Sequence, residues 1–89
     1  MRLRFLPDRT GEDLCRVAYA IPRKAGNAVV RNRIRRRTRA AVDQVAGEMA
    51  PGCYLISPSR DTIDMTFPDL TNSLRASLRS AGALQEAMQ

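Results

Sequence analysis

Histidine is absent from the 89 residues of this chain, and with it the commonest general base and the commonest metal ligand. Tryptophan is absent too, and the two cysteines, Cys15 and Cys53, stand far apart in no Cys-x-x-Cys arrangement. Two lone thiols without a histidine do not make an ordinary structural zinc site. Both lie in apolar runs, so they are expected as reduced thiols packed like small hydrophobes rather than as a disulfide or redox pair. No apolar run approaches the length of a bilayer span, and the N-terminus alternates charge with hydrophobe where a signal peptide would carry an apolar core. That sets a membrane partner aside and makes a cytoplasmic location the expectation. Acids are also missing from one long stretch, with no Asp or Glu between Arg16 and Val42.

What is present is a small basic domain. The length fits one domain, residues 1–89, with a modest core. Hydrophobic residues make up 44% and charged residues 27%, which is ordinary for a globular fold and argues against wholesale disorder. A net charge of +6 and a pI near 10.6 imply a polyanionic partner, and of nucleic acid, an anionic membrane face and an acidic protein the membrane is the one already set aside.

Along the chain, Arg2-Leu3-Arg4-Phe5-Leu6 alternates and predicts a strand with one wet side. Pro7 to Asp13 has loop chemistry, and Leu14 to Ile21 reads as a second, more central strand that pairs with the first as a hairpin. Pro22 ends it. Asn27 is placed to cap a long helix, which runs from Ala28 to Gly47 with Val30, Ile34, Ala41, Val45 and Met49 on one stripe. At about 100° per residue, Asn32, Arg33, Arg35, Arg36 and Arg39 turn away from that stripe, and Arg31 and Arg37 flank it. Cys53 to Ser57 predicts a third strand. Thr66 or Asp69 then starts a second helix, with Leu70, Leu74 and Leu78 as its apolar ridge and Gly82 as its stop. The predicted class is α+β: a three-stranded sheet covered by two helices, with a βαβ crossover carrying the basic helix.

Eight of the fifteen Lys and Arg residues fall between Arg23 and Arg39. An ordinary solvated helix mixes signs, because like charges four residues apart cost about a few tenths of a kcal/mol. Here Arg31, Arg35 and Arg39 stack at that spacing, and phosphate is the natural compensation. Planar guanidinium forks grip phosphate, and Arg23, Lys24, Gly26 and Asn27 precede the free N–H groups at the positive end of the helix dipole.

The run from Arg23 to Arg36, Arg-Lys-Ala-Gly-Asn-Ala-Val-Val-Arg-Asn-Arg-Ile-Arg-Arg, resembles the signature of the bacterial ribonuclease P protein component. The resemblance is strong from Arg16 to Arg39 and continues weakly through Tyr54-Leu55-Ile56 and the last helix. It implies an accessory protein to a catalytic RNA that removes the 5′ leader of precursor tRNA with magnesium ions. On that reading the chain itself supplies no nucleophile and binds no metal firmly. Its partners are ribonuclease P RNA and the precursor tRNA leader, and it is a monomer when isolated. The Arg31-Asn32-Arg33 helix sits in a left-handed crossover and faces the RNA subunit. The RNA-contacting set is then Arg23, Lys24, Asn27, Arg31, Asn32, Arg33, Arg35, Arg36 and Arg39. A cleft beside the sheet takes the single-stranded leader, and Phe5 and Tyr19 are either aromatics lining it or ordinary core side chains.

Departures from the family pattern bear on the cleft. Members begin with a helix and an initial stretch of strand ahead of the segment that Met1 opens, and that helix contributes to the cleft. The chain is therefore a reduced member, a truncated form, or one whose start lies upstream. Pro22 replaces a small polar residue, and Thr38 and Ala40 stand where leucine and glutamate are frequent. Two other classes fit the charge pattern: a ribosomal or general structured-RNA-binding protein, and a DNA-binding regulator using residues 27–46 as a recognition helix. A stand-alone nuclease ranks last. Its nearest approach to a metal-binding acid set is Asp61 with Asp64, in an expected loop.

Overall fold

The computed structural model describes residues 1–84. Five elements follow one another: β1 (Arg2–Pro7), β2 (Cys15–Tyr19), α1 (Ala28–Val45), β3 (Gly52–Ser57) and α2 (Phe67–Ser80). Short 3-10 turns cover Arg23–Ala25, Ala46–Glu48 and Arg60–Ile63. The predicted α+β class and element order are those observed.

The strand order departs from expectation. β3 lies in the middle, antiparallel to β1 and parallel to β2, so the first two strands form no hairpin and β2 is an edge strand. The reason lies in burial. Tyr54 and Ile56 are 3% and 0% exposed, whereas the side chains of β1 and β2 on the same face are at most half-buried. The strand with the deepest side chains takes the centre, and the crossover through α1 brings it there.

Alternation assigns the two faces. Leu3 and Phe5 of β1, Val17 and Tyr19 of β2, and Tyr54 and Ile56 of β3 point toward the helices. Arg4, Leu6, Arg16, Ala18, Cys53 and Leu55 lie on the open face. Both cysteines are exposed, contrary to the expectation that they pack as small hydrophobes. Cys15 opens an edge strand, and Cys53 points away from the helices.

The core fills from the two helices. Leu70, Leu74 and Leu78 of α2 are fully buried, each contributing about 1.5–3 kcal/mol. From α1 come Ala41, Val42 and Val45, with Ile34 and Thr38 one to two turns earlier. The predicted stripe thus gains Thr38 and Val42, while Val30 is only half-buried. Thr38 is tolerated there because its hydroxyl donates to the Ile34 carbonyl at 2.8 Å. The α-helix ends two residues before Gly47, and Met49 reaches the core from beyond the following 3-10 turn. Thr66 caps α2, accepting from the Asp69 N–H at 3.2 Å. At the other end Gly82 takes φ 74°; its N–H donates to Arg79 and that of Ala83 donates to Leu78, closing the helix as predicted.

Tyr54 stacks on Phe5 with ring centroids 4.8 Å apart, and its hydroxyl donates to the Ala50 carbonyl. Burial, aided by the neighbouring Cys15, pushes its ionisation up to about 12. In an unfolded chain a tyrosine titrates near about 10, so the unfolded state loses its proton first as pH rises. The stabilisation from neutral Tyr54 is therefore complete below pH ~10 and declines between ~10 and ~12. A melting series across that window should show Tm falling with pH, and Tyr54→Phe should flatten the decline. An equally steep decline in the variant would assign the effect elsewhere.

Candidate nucleic-acid interface

The basic surface begins where β2 hands over to α1. The turn Arg23–Ala25 exposes Arg23 and Lys24 and buries Ala25. Gly26 follows at φ 149°, and a Cβ there would lie 2.6 Å from Val30 Cγ1, so glycine is required for the chain to pass this close to its own helix. Asn27 then caps α1, its side-chain oxygen accepting from the Val30 N–H at 2.9 Å. The cap uses that oxygen, which leaves its amide N–H groups and the N–H groups of Ala28 and Val29 at the positive end of the helix.

Down the helix the cations divide. Arg33, Arg36 and Arg39 are exposed with Asn32, while Arg31, Arg35 and Arg37 are half-buried. Arg35 therefore lies closer to the protein than the sequence predicts. Its guanidinium donates to Asn32 Oδ1 at 2.9 Å, and the side chain borders a depression instead of pointing to solvent. Residues two apart on a helix point about 200° apart, so Arg31 and Arg33 leave α1 on opposite flanks.

Each flank overlooks a hollow. One, of 860 Å³, is bordered by Arg2, Tyr19, Pro22, Lys24, Arg35 and Pro58. The other, of 590 Å³, lies between α1 and the start of α2 and is lined by Asn32, Arg33, Arg36, Arg37 and Phe67, with Val29 at its rim. Arg37 donates to the Met65 carbonyl, tying α1 to the segment that leads into α2.

None of the eight cations between Arg23 and Arg39 has a carboxylate partner among the described residues. The ion pair found there is Arg75 with Glu48, at 3.1 Å. The repulsion along α1 is thus left for an external anion to offset.

The two aromatic candidates separate. Tyr19 borders the first hollow. Burial pushes its hydroxyl above the usual range, with the adjacent Arg39 guanidinium opposing the shift and Asp43 adding to it. Phe5 is half-buried in its stack with Tyr54 and borders a different hollow, lined by β1 and β3. Sequence reasoning puts Arg37 at the flank of the apolar stripe but outside the RNA-contacting set, and it passes over Val29 and Phe67. The signal available for Val29 and Phe67 was position: they are the second and first residues of their helices, where side chains overhang an open end.

Asp61 and Asp64 sit at a 3-10 turn, and the described residues gather no group of three or more potential metal ligands. No described helix is long and apolar enough to cross a membrane. In the chain α1 runs from β2 to β3, so no consecutive helix is joined to it by a short turn as a helix-turn-helix requires.

Comparison with known proteins follows the same line. A family model described as Ribonuclease P matches residues 1–82. A ribonuclease P protein component of Shouchella clausii is 32% identical over 81 residues, covering 90% of this chain and 66% of that protein. One from Paramagnetospirillum magneticum is 40% identical and covers 83% and 57%, and one from Gluconacetobacter diazotrophicus is 45% identical and covers 83% and 66%. The chain thus spans 57–66% of the length of these relatives. Among solved structures, the Staphylococcus aureus RNase P protein superposes with a TM-score of 0.75 at 24% identity, over 93% of this chain and 75% of that one. At that identity the likeness speaks to the fold.

Proposed function

Because this chain belongs to the ribonuclease P protein family, we propose that it serves as the protein subunit of a ribonuclease P and binds the catalytic RNA through α1. The observation that carries the reading is the acid-free arginine face from Arg23 to Arg39, unpaired within the described residues and presented opposite a packed apolar stripe. Exposed guanidinium groups neutralise phosphates, and the capped start of α1 offers backbone N–H groups to one more. Holding the RNA's phosphates together favours its folded form and so strengthens substrate binding and magnesium occupancy. This chain contributes binding and orientation and no nucleophile.

The magnesium ions belong to the RNA in this reading. The hollow between Tyr19, Lys24 and Arg35 is the surface we assign to the precursor tRNA leader, with Tyr19 available for stacking and the two cations for phosphate. Phe5, turned into its stack with Tyr54, is assigned to the core. The crossover is taken as left-handed, the subunit as monomeric when isolated, and its location as cytoplasmic, on the same family reading.

The test is reconstitution. Purified protein added to ribonuclease P RNA and precursor tRNA at low magnesium should stimulate 5′ cleavage. No stimulation, with a longer family member active alongside, would sink the assignment for this chain.

A further inference from the structure

Four aromatic residues occur in the chain, and three of them, Phe5, Tyr19 and Tyr54, point from the sheet toward the helices. Phe67 is the fourth. It opens α2 and is 38% exposed, a large ring left on the surface of a small domain. It does not serve the usual capping contact at that helix start, because Met65 and Leu70 hold the two positions that staple a capped N-terminus. Across the 590 Å³ groove from it stand Arg33, Arg36 and Arg37 with the amide of Asn32, and Val29 nearby is 76% exposed.

Several features say what fits there. No acid among the described residues lines the groove, so an anionic occupant is favoured over a neutral or cationic one. The Arg37 guanidinium is held by the Met65 carbonyl, which fixes one wall; its buried Nε finds no partner among the described residues. An exposed ring beside guanidinium planes offers a flat apolar surface for a π-face, and phosphates flanking that face can meet Arg33 and Arg36. An acidic peptide would satisfy the arginines and leave the ring unused.

The geometry points to a nucleobase site: Phe67 is the stacking platform for one unpaired base of the bound RNA, whose flanking phosphates lie on Arg33 and Arg36. The inference rests on the RNA-binding role proposed above and adds a base-sized contact on the side of α1 away from the Tyr19 hollow. Paired RNA shields its base faces, so the site discriminates RNA with a looped-out or single-stranded base from a plain duplex.

Two variants test it. Phe67→Leu keeps an apolar residue at the helix start and removes the ring. Its affinity for ribonuclease P RNA should fall about tenfold, while its affinity for a fully paired RNA duplex and its melting temperature stay at wild-type values. Phe67→Trp introduces the chain's only tryptophan, and its emission should be quenched by an RNA hairpin with a single-base bulge and not by poly-glutamate. Unchanged affinity of Phe67→Leu for ribonuclease P RNA overturns the site, as does an equal loss on both RNAs. Quenching by poly-glutamate to the same extent would make the occupant an acidic peptide. Failure of the wild-type protein to bind ribonuclease P RNA overturns the RNA-binding reading itself, and the base site with it.

Discussion

Replacing Arg31 and Arg33 together with alanine is expected to weaken binding to ribonuclease P RNA by about a hundredfold and leave the fold intact. Each removes a charge-assisted contact, worth about 1.5–3 kcal/mol when well formed, and about 1.4 kcal/mol corresponds to a factor of ten. The pair is informative because the two side chains leave opposite flanks of α1, so the double change weakens both sides of the helix at once. Among the described residues neither has a carboxylate partner to strand, and Arg31 Nε is buried without an acceptor. Stability should therefore change by less than ~1 kcal/mol, or rise slightly as like charges are removed. Equilibrium binding beside a thermal melt checks both halves. Wild-type affinity in the double variant would remove α1 from the interface, and a collapsed melt would assign the arginines to the fold.

The largest stability effect is expected at Gly52. This glycine opens the central strand at φ 151°, paired with Pro7 on one side and Cys15 on the other. Its N–H donates to the Leu14 carbonyl at 2.8 Å. A Cβ there would collide with the Leu6 carbonyl and lie 2.7 Å from Phe5 Cε1. Backbone atoms of a paired strand cannot yield, and moving the Phe5 ring breaks its stack on Tyr54. Backbone strain and overpacking each cost about 1–3 kcal/mol, so Gly52→Ala should lose about 3 kcal/mol or more. For a domain of this size that lowers Tm by about 12–24 °C. Gly47→Ala is the matched control, since nothing lies within 4 Å of a Cβ at that position. Thermal melts that place Gly52→Ala within ~1 kcal/mol of wild type would refute the close packing of β1 against β3.

Local signals and long-range outcomes divided cleanly in how far the sequence revealed them. Asn27 as cap, Leu70, Leu74 and Leu78 as ridge and Gly82 as stop all follow from neighbours a few residues away, and each is where the periodicity places it. Sheet order does not have that character. Two strands joined by the loop 8–14 favour a hairpin on local grounds, whereas the observed order depends on a third strand arriving after a long helix. The cysteines misled for the same reason: an apolar run marks a strand, but which face its residues take is decided by pairing.

The interface divides in the same way. Charge and spacing were enough to find every arginine on α1, because helix geometry maps sequence to face directly. They could not show that Arg35 bends to Asn32 beside Tyr19, nor that Arg37 is tied to Met65, since those contacts join segments distant in the chain or depend on side-chain reach. Phe67 is the clearest case. Nothing near it in sequence is basic, and only the packing of α2 against α1 sets its ring beside Arg33 and Arg36.

The central claim, that α1 binds ribonuclease P RNA by neutralising its phosphates, is tested most directly by the salt dependence of that binding. With about five phosphates neutralised, log affinity should fall with log salt at a slope of roughly −3.5 to −4.5, and the Arg31 and Arg33 double variant should show a shallower slope by about 1.5. A slope near zero for the wild-type protein, or an unchanged slope in the double variant, would contradict it.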